Sequence, residues 1–258
     1  MSTFTATQFD ASSALNYQKI RTNAKNGKNV RSKFKIQTPR MPLAFDLSSN
    51  TYDDRTKYDI SLSFKGEDES EKVQRFHETM VSIDTYNIDW ATKNSVELFG
   101  EDLTKKRDLV EDRYNCLVKM GKKVEYAPTM RVKMQTAMDS YKPEFMLFDQ
   151  DRKEIEIYDA GADSLTMGFL TRGVDVVCLL EYTGLWVVGK KFGCNWKLSQ
   201  AKVYTTVIER GYALQDSDED SDEDAVSVAG EVPQQDPSVM EDTPAAEDLE
   251  QSLLESES

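Results

Sequence analysis

The sequence has a single histidine, His77, in 258 residues. That leaves little from which to build imidazole acid–base catalysis or a histidine-based metal site. Cysteine is scarce as well: Cys116, Cys178 and Cys194 are odd in number and far apart. Their spacing is not that of a zinc site, and unpaired thiols fit a reducing compartment better than a disulfide framework. There is no glycine-rich phosphate loop with its lysine. No catalytic carboxylate pair stands out, so no catalytic residue, no metal ligand and no cofactor is expected. A nuclease built from carboxylates alone is left as a reading that turnover with a divalent metal would reveal. Long apolar runs are missing too. The first ten residues lack one, which speaks against a secretory signal. Residues 174–188, the most apolar stretch, contain Asp175 and Glu181 and are too short to span a bilayer. The expectation is an intracellular protein that is not secreted and has no membrane partner.

Charge of one sign is missing from one part of the chain. Residues 215–258 hold 16 of the 46 acidic residues and no lysine or arginine. The other 30 acidic residues share positions 1–214 with all 32 basic ones, so the body is slightly basic and the net charge of -14 belongs to the tail. No aromatic residue follows Tyr212. A segment with so little to bury does not recover the roughly 1–2 kcal/mol per residue that ordering costs. The expected organisation is a flexible arm over 1–15, a folded domain over 16–212 and a disordered acidic tail over 213–258.

What is present in the body is alternation. Val30, Ser32, Phe34 and Ile36 alternate with Arg31, Lys33 and Lys35, the pattern of a half-buried strand with a cationic outer face. Asn26-Gly27 ahead of it is a turn signal. Tyr58, Ile60, Leu62 and Phe64 give a second strand. Met130, Val132 and Met134 alternate with Arg131 and Lys133 in another. Val73, Phe76, Met80 and Ile83 recur at helical spacing, with Ser70 near the helix start. A further helix is expected over 104–119, with Leu109 or Val110 on its inner face. Strands are expected at 145–148, 154–158, 173–182, 185–188 and 196–209. The pattern implies a mainly β or α+β fold, a barrel or sandwich with two inserted helices.

The densest chemistry lies between Tyr182 and Ile208, where no acidic residue occurs. Lys190, Lys191, Lys197 and Lys202 are interleaved there with Tyr182, Trp186, Phe192 and Trp196. Gly189 and Gly193 read as the bracket of a hairpin turn. Cations that track phosphates beside rings that stack on bases are how single strands are held. The same pattern also suits a strand whose rings fill the core and whose lysines are solvated. Both assignments stand at this stage.

The run Gly184-Leu-Trp-Val-Val-Gly-Lys-Lys-Phe-Gly-Cys-Asn-Trp-Lys-Leu-Ser-Gln-Ala-Lys-Val203 resembles the C-terminal strand signature of single-stranded DNA-binding proteins of large eukaryotic DNA viruses. Gln37-Thr-Pro-Arg-Met-Pro42, Lys57-Tyr-Asp-Ile-Ser-Leu-Ser-Phe-Lys-Gly66 and Tyr126-Ala-Pro-Thr-Met-Arg-Val-Lys133 follow the same order upstream. The resemblance covers about residues 8–208. It implies an OB-fold-like barrel, single-stranded DNA as partner, and a role without enzymatic activity in viral replication, recombination and repair. The place would be the host nucleus or a cytoplasmic viral factory. The expected nucleic-acid-binding residues are Arg31, Lys33, Lys35, Arg131, Lys133, Trp186, Lys190, Lys191, Phe192, Trp196, Lys197 and Lys202.

A more distant resemblance is to phage replication proteins that pair such a barrel with an acidic tail. It implies a tail that competes with DNA and recruits a polymerase or helicase-primase. Those tails end in an aromatic residue. Here two readings are open: Leu253 and Leu254 replace that anchor, or the tail works by charge alone. Ser217 and Ser221, each followed by acidic residues, suit acidophilic kinases. Self-association into a homo-oligomer is left open. The competing expectation is a histone-chaperone-like or virion scaffold protein whose acidic tail binds basic partners.

Overall fold

The computed structural model describes residues 2–23, 27–52, 55–123, 125–134, 143–157 and 169–204. The tail, with Ser217, Ser221, Leu253 and Leu254, lies outside them, as do Asn26 and the far ends of the strands expected at 154–158 and 196–209.

The chain begins with β1 (Thr3–Thr5), a 3-10 turn (Ala6–Gln8) and α1 (Ala11–Ala14). β2 (Arg21–Thr22), β3 (Lys28–Gln37), β4 (Met41–Pro42), β5 (Ser48–Tyr52) and β6 (Arg55–Ser63) follow. A helical insert comes next: α2 (Glu71–Lys93), α3 (Ser95–Phe99) and α4 (Arg107–Glu111). The rest is β7 (Tyr114–Asn115), β8 (Val118–Lys119), β9 (Thr129–Met134), β10 (Met146–Phe148), β11 (Glu154–Ile155), β12 (Asp175–Val188) and β13 (Lys191–Tyr204).

Period explains most of this. In β3 the residues Val30, Ser32, Phe34 and Ile36 are buried, and Arg31 and Lys33 are exposed between them. In α2 the buried stripe is Val73, Phe76, Met80 and Ile83, with Ser70 as N-cap. α3 stops at Gly100, whose φ of 73° is the left-handed cap glycine tolerates best.

The sheet closes on itself. β12 pairs antiparallel with β3 (Leu180 opposite Ile36) and then with β4 (Val176 opposite Met41). Its other edge carries β13, antiparallel. β13 runs parallel to β9, and β9 antiparallel to β6. Leu43, just past β4, bridges back to Leu62 of β6. Taking β3–β4, β6, β9, β12 and β13 as strands one to five, the ring runs 1-2-3-5-4-1. That is OB-fold order, and closure removes the edges an open sheet would expose.

Among the described residues two apolar clusters form the core. The larger lies inside the barrel and under α2, with Phe34, Ile60, Leu62, Val132, Leu180, Leu198, Phe76 and Met80. The smaller lies under the tip of the β12–β13 hairpin. There Val30, Leu185, Val187 and Phe192 meet Ile88, Ala91, Leu98 and Val110 of the helical insert.

A polar network joins the insert to the barrel. Tyr114 donates to Asp84 Oδ1 at 2.7 Å, and the Leu117 N–H donates to Asp84 Oδ2 at 2.9 Å. Asn87 Nδ2 donates to the Tyr114 hydroxyl at 2.8 Å. Tyr17 donates to Asn87 Oδ1 and shares a 2.7 Å bond with Tyr182. Burial pushes the Asp84 carboxyl up to about 6, against the pull of its two donors.

Several expectations are corrected. The helix expected over 104–119 is helical only at Arg107–Glu111. Beyond it, β7 pairs with β13 and β8 with β9. The parallel β9–β13 pairing covers only Lys133–Lys197 and Met134–Leu198, and the free backbone edges before it take these short strands. Residues 2–15, expected as a loose arm, are docked: β1 lies parallel on β3, and Phe4 and Phe9 pack on Phe34. The two strands expected at 173–182 and 185–188 are one, β12. It passes an irregularity at Gly184, where φ is 119° and a Cβ would come 2.0 Å from the Val30 carbonyl oxygen. The hairpin turns at Gly189-Lys190, with Gly189 at φ 57°, while Gly193 belongs to β13. Among the described residues no helix is long and apolar enough to cross a membrane.

Candidate nucleic-acid interface

The outer face of the barrel is built by strand parity. Because Val132 and Met134 point inward, Arg131 and Lys133 point outward. The same holds for Lys197 beside Trp196 and Leu198, and for Lys202 between Ala201 and Val203. The register then sets these residues side by side. Asp59, Lys133, Lys197, Glu181 and Lys35 form one row across β6, β9, β13, β12 and β3. Neighbouring strands are about 4.8 Å apart, so Lys133 and Lys197 are adjacent like charges. One step along, Arg131 pairs across from Ser61. A further step gives Ser63, Thr129 and Lys119.

Carboxylates hold part of this face. Arg131 NH2 lies 2.8 Å from Oδ2 of Asp59, whose side chain is 6% exposed. Lys33 Nζ is 3.7 Å from Glu181. Lys35 Nζ donates to Ser199 Oγ at 2.7 Å. Lys202 Nζ stands 5.0 Å from the Tyr204 ring, with Arg40 4.2 Å from the same ring. Arg31 is exposed at the irregularity opposite Gly184. Arg31, Lys33, Lys35, Lys57, Arg131, Lys133, Lys197 and Lys202 therefore occupy outer positions. The carboxylates on these strands are Asp59, Glu181 and, at the start of β12, Asp175, which Arg40 holds at 2.8 Å.

The aromatic part of the expected site is corrected. Trp186, Phe192 and Trp196 are 2%, 0% and 3% exposed. Trp196 packs against Phe34 and Tyr182, with ring centroids 5.6 and 5.1 Å away. Phe192 packs against Tyr114 and Phe99 at 4.9 and 5.5 Å. The Trp186 indole lies over Gly193, where a Cβ would meet its Cζ2 at 2.8 Å, so Gly193 is needed for packing and not for the turn. A ring in these positions has no free face for a base. The interleaving of rings and lysines in the sequence is the signature of a two-faced strand, with rings inside and cations outside.

The hairpin tip is also less available than its lysines suggest. Lys190 Nζ is 3.0 Å from Glu101, which also accepts from Arg113 at 2.9 Å. Arg113 and then Lys190 hold the Glu101 carboxyl below its ordinary range. Lys191 Nζ donates to the Asp112 carbonyl at 3.2 Å. These bonds stake the tip to the helical insert.

Two exposed rings were not singled out in the sequence. Phe45, 60% exposed, lies in the connection between the first and second barrel strands. Tyr126, 54% exposed, lies between β8 and β9. The available signal was their position in non-alternating stretches beside Pro42 and Pro128. His77 sits on α2, with Nδ1 2.7 Å from Glu67 Oε2 and its ring 4.7 Å from Phe64. Among the described residues no three His, Cys, Asp or Glu side chains gather to hold a metal.

No curated protein matches the chain. Solved structures similar to it include a single-stranded DNA-binding protein from bacteriophage Enc34 in complex with single-stranded DNA. It has 12% identity and a TM-score of 0.38, over 71% of this chain and 93% of that one. A C-terminally truncated form of the Enc34 protein gives 12% identity and a TM-score of 0.39, over 72% and 94%. At that level of likeness, function has to be argued from the chain's own residues. Over residues 66–216 the chain matches the model of a family described as a family of unknown function (DUF5871), and it belongs to that family.

Proposed function

We propose that this protein binds single-stranded DNA, without turnover, across the outer face of β6, β9 and β13. The observation that carries the reading is the pair Lys133 and Lys197, side by side on a barrel of OB order. Both side chains face the same side of the sheet one strand apart, so one phosphate chain can lie across the two. In barrels of this order the face of strands two and three, with the loops joining one to two and four to five, binds oligonucleotides. Here those strands are β6 and β9. Backbone tracking by lysine and arginine reads no sequence, so binding is tolerant of sequence and weakens with salt.

The wider role we infer is in replication, recombination and repair of a large DNA virus, in a host nucleus or cytoplasmic factory. The acidic residues of 215–258 act as an internal competitor for the cationic face, and Leu253 and Leu254 present the tail to replication partners such as a polymerase or helicase-primase. The 16 acidic residues of the tail also favour a second reading, a chaperone or scaffold for basic proteins. Filter binding of the full chain and of residues 1–214 to oligo-dT, duplex DNA and histones separates the two. The expected result is a preference for oligo-dT that strengthens on truncation, most at low salt. Histone binding without single-strand preference would move the protein to the second reading.

A further inference from the structure

We infer that the connection between β8 and β9, described at residues 119–123 and 125–128, is a stacking finger and that the Tyr126 ring is its base platform. The inference rests on the single-strand reading and adds to it the ring that the buried tryptophans cannot supply.

The loop is rooted in the proposed face. β8 and β9 form its base, with Lys119 opposite Thr129 and Thr129 opposite Ser63. These three continue, two residues along β9, the outward series that holds Arg131 and Lys133. The Phe64 N–H donates to the Pro128 carbonyl at 2.9 Å and ties the base of the loop to the end of β6.

The described residues on either side of position 124 meet closely. The Tyr126 N–H closes a turn on the Lys123 carbonyl at 3.0 Å. Gly121 is pressed against Tyr126 so closely that a Cβ would come 2.5 Å from its carbonyl oxygen and 2.6 Å from its Cβ. Any larger residue at 121 would open the loop. At its end Tyr126 is 54% exposed and Met120 is 76% exposed.

Charge selects the ligand. Lys119, Lys122 and Lys123 stand against one acid, Glu125, which Lys123 meets at 3.7 Å. Lys123 Nζ also lies 5.6 Å from the Tyr126 ring centroid. A cationic loop that holds an aromatic face in water suits a nucleobase whose phosphates the lysines contact. An exposed tyrosine alone is ordinary. A tyrosine held by a closed turn, among lysines, on the end of a cationic strand face is a site.

The test is fluorescence-anisotropy titration of labelled oligo-dT with the full chain, using wild type, Tyr126→Phe and Tyr126→Leu. Stacking needs the ring and not the hydroxyl. Tyr126→Phe is expected to bind within about twofold of wild type. Tyr126→Leu is expected to lose about tenfold in affinity, with the dependence of log K on log salt unchanged because no phosphate contact is removed. Equal melting temperatures of the three proteins establish that the fold is kept. If wild type binds oligo-dT and Tyr126→Leu binds equally well, the finger is wrong and the single-strand reading stands. A loss accompanied by a smaller salt slope would overturn stacking in favour of an electrostatic role. If wild type does not bind oligo-dT, both fall.

Discussion

The β12–β13 hairpin and the β6–β9 face divide the ingredients of a nucleic-acid site between them. The hairpin buries the rings Tyr182, Trp186, Phe192 and Trp196 and leaves Tyr204, at the end of β13, partly exposed. Among the described residues the β6–β9 face holds no large ring outward, yet it carries Arg131 and Lys133 beside Lys197 and leads to an exposed Tyr126. The richest stretch of sequence is thus mostly scaffold, and a plainer one carries the surface chemistry. A strand presents two faces, and a mixed composition is shared between them.

The largest effect that sharpens this contrast is on stability. Trp196→Ala removes a ring wedged between Phe34 and Tyr182 and is expected to cost about 3–5 kcal/mol in urea unfolding. The fraction that stays folded should keep its affinity for oligo-dT. A stable variant with lost affinity would return the hairpin rings to the DNA side.

The second effect tests how the hairpin is anchored to the helical insert. The Asp84 carboxyl lies at about 6 in the folded protein, against about 3.9 for an unperturbed aspartate. Its folded pKa is above the unfolded one, so the protonated form favours folding. That contribution is full below about pH 4 and lost as pH rises through about 6, amounting to about 3 kcal/mol. Urea melts from pH 4 to 7.5 should show stability from this group falling over that window, and Asp84→Asn should flatten the fall. A fall of the same size in Asp84→Asn would assign it to other groups.

The smallest effect is at the tip. Lys190 is paired with Glu101 and 71% exposed, so Lys190→Gln is expected to change oligo-dT affinity by less than about twofold. A larger loss would make the tip part of the interface.

Much of the barrel was legible because period is local. The alternation of Val30 to Ile36 and of Met130 to Met134, and the stripe from Val73 to Ile83, each identify an element and its inner side. The sides of Arg31, Lys33, Arg131 and Lys133 could be read for the same reason. What could not be read depends on partners far along the chain. Tyr114 and Val118 have helical spacing, but they are recruited by the edges of β13 and β9. Gly193 reads as a turn glycine, but its place is under the Trp186 indole, seven residues away on the paired strand. The neutralisation of Lys190 by Glu101, and of Arg131 by Asp59, is a fact of packing that no local pattern carries.

The account's central claim is that phosphates lie on the outer row of β9 and β13. The most direct measurement is the salt dependence of oligo-dT binding for wild type and for the double variant Lys133→Gln, Lys197→Gln. Each lost phosphate contact on a single strand lowers the slope of log K against log salt by about 0.7. The account predicts a slope shallower by about 1.4 for the double variant, with Lys190→Gln close to wild type. A double variant that keeps the wild-type slope would contradict it.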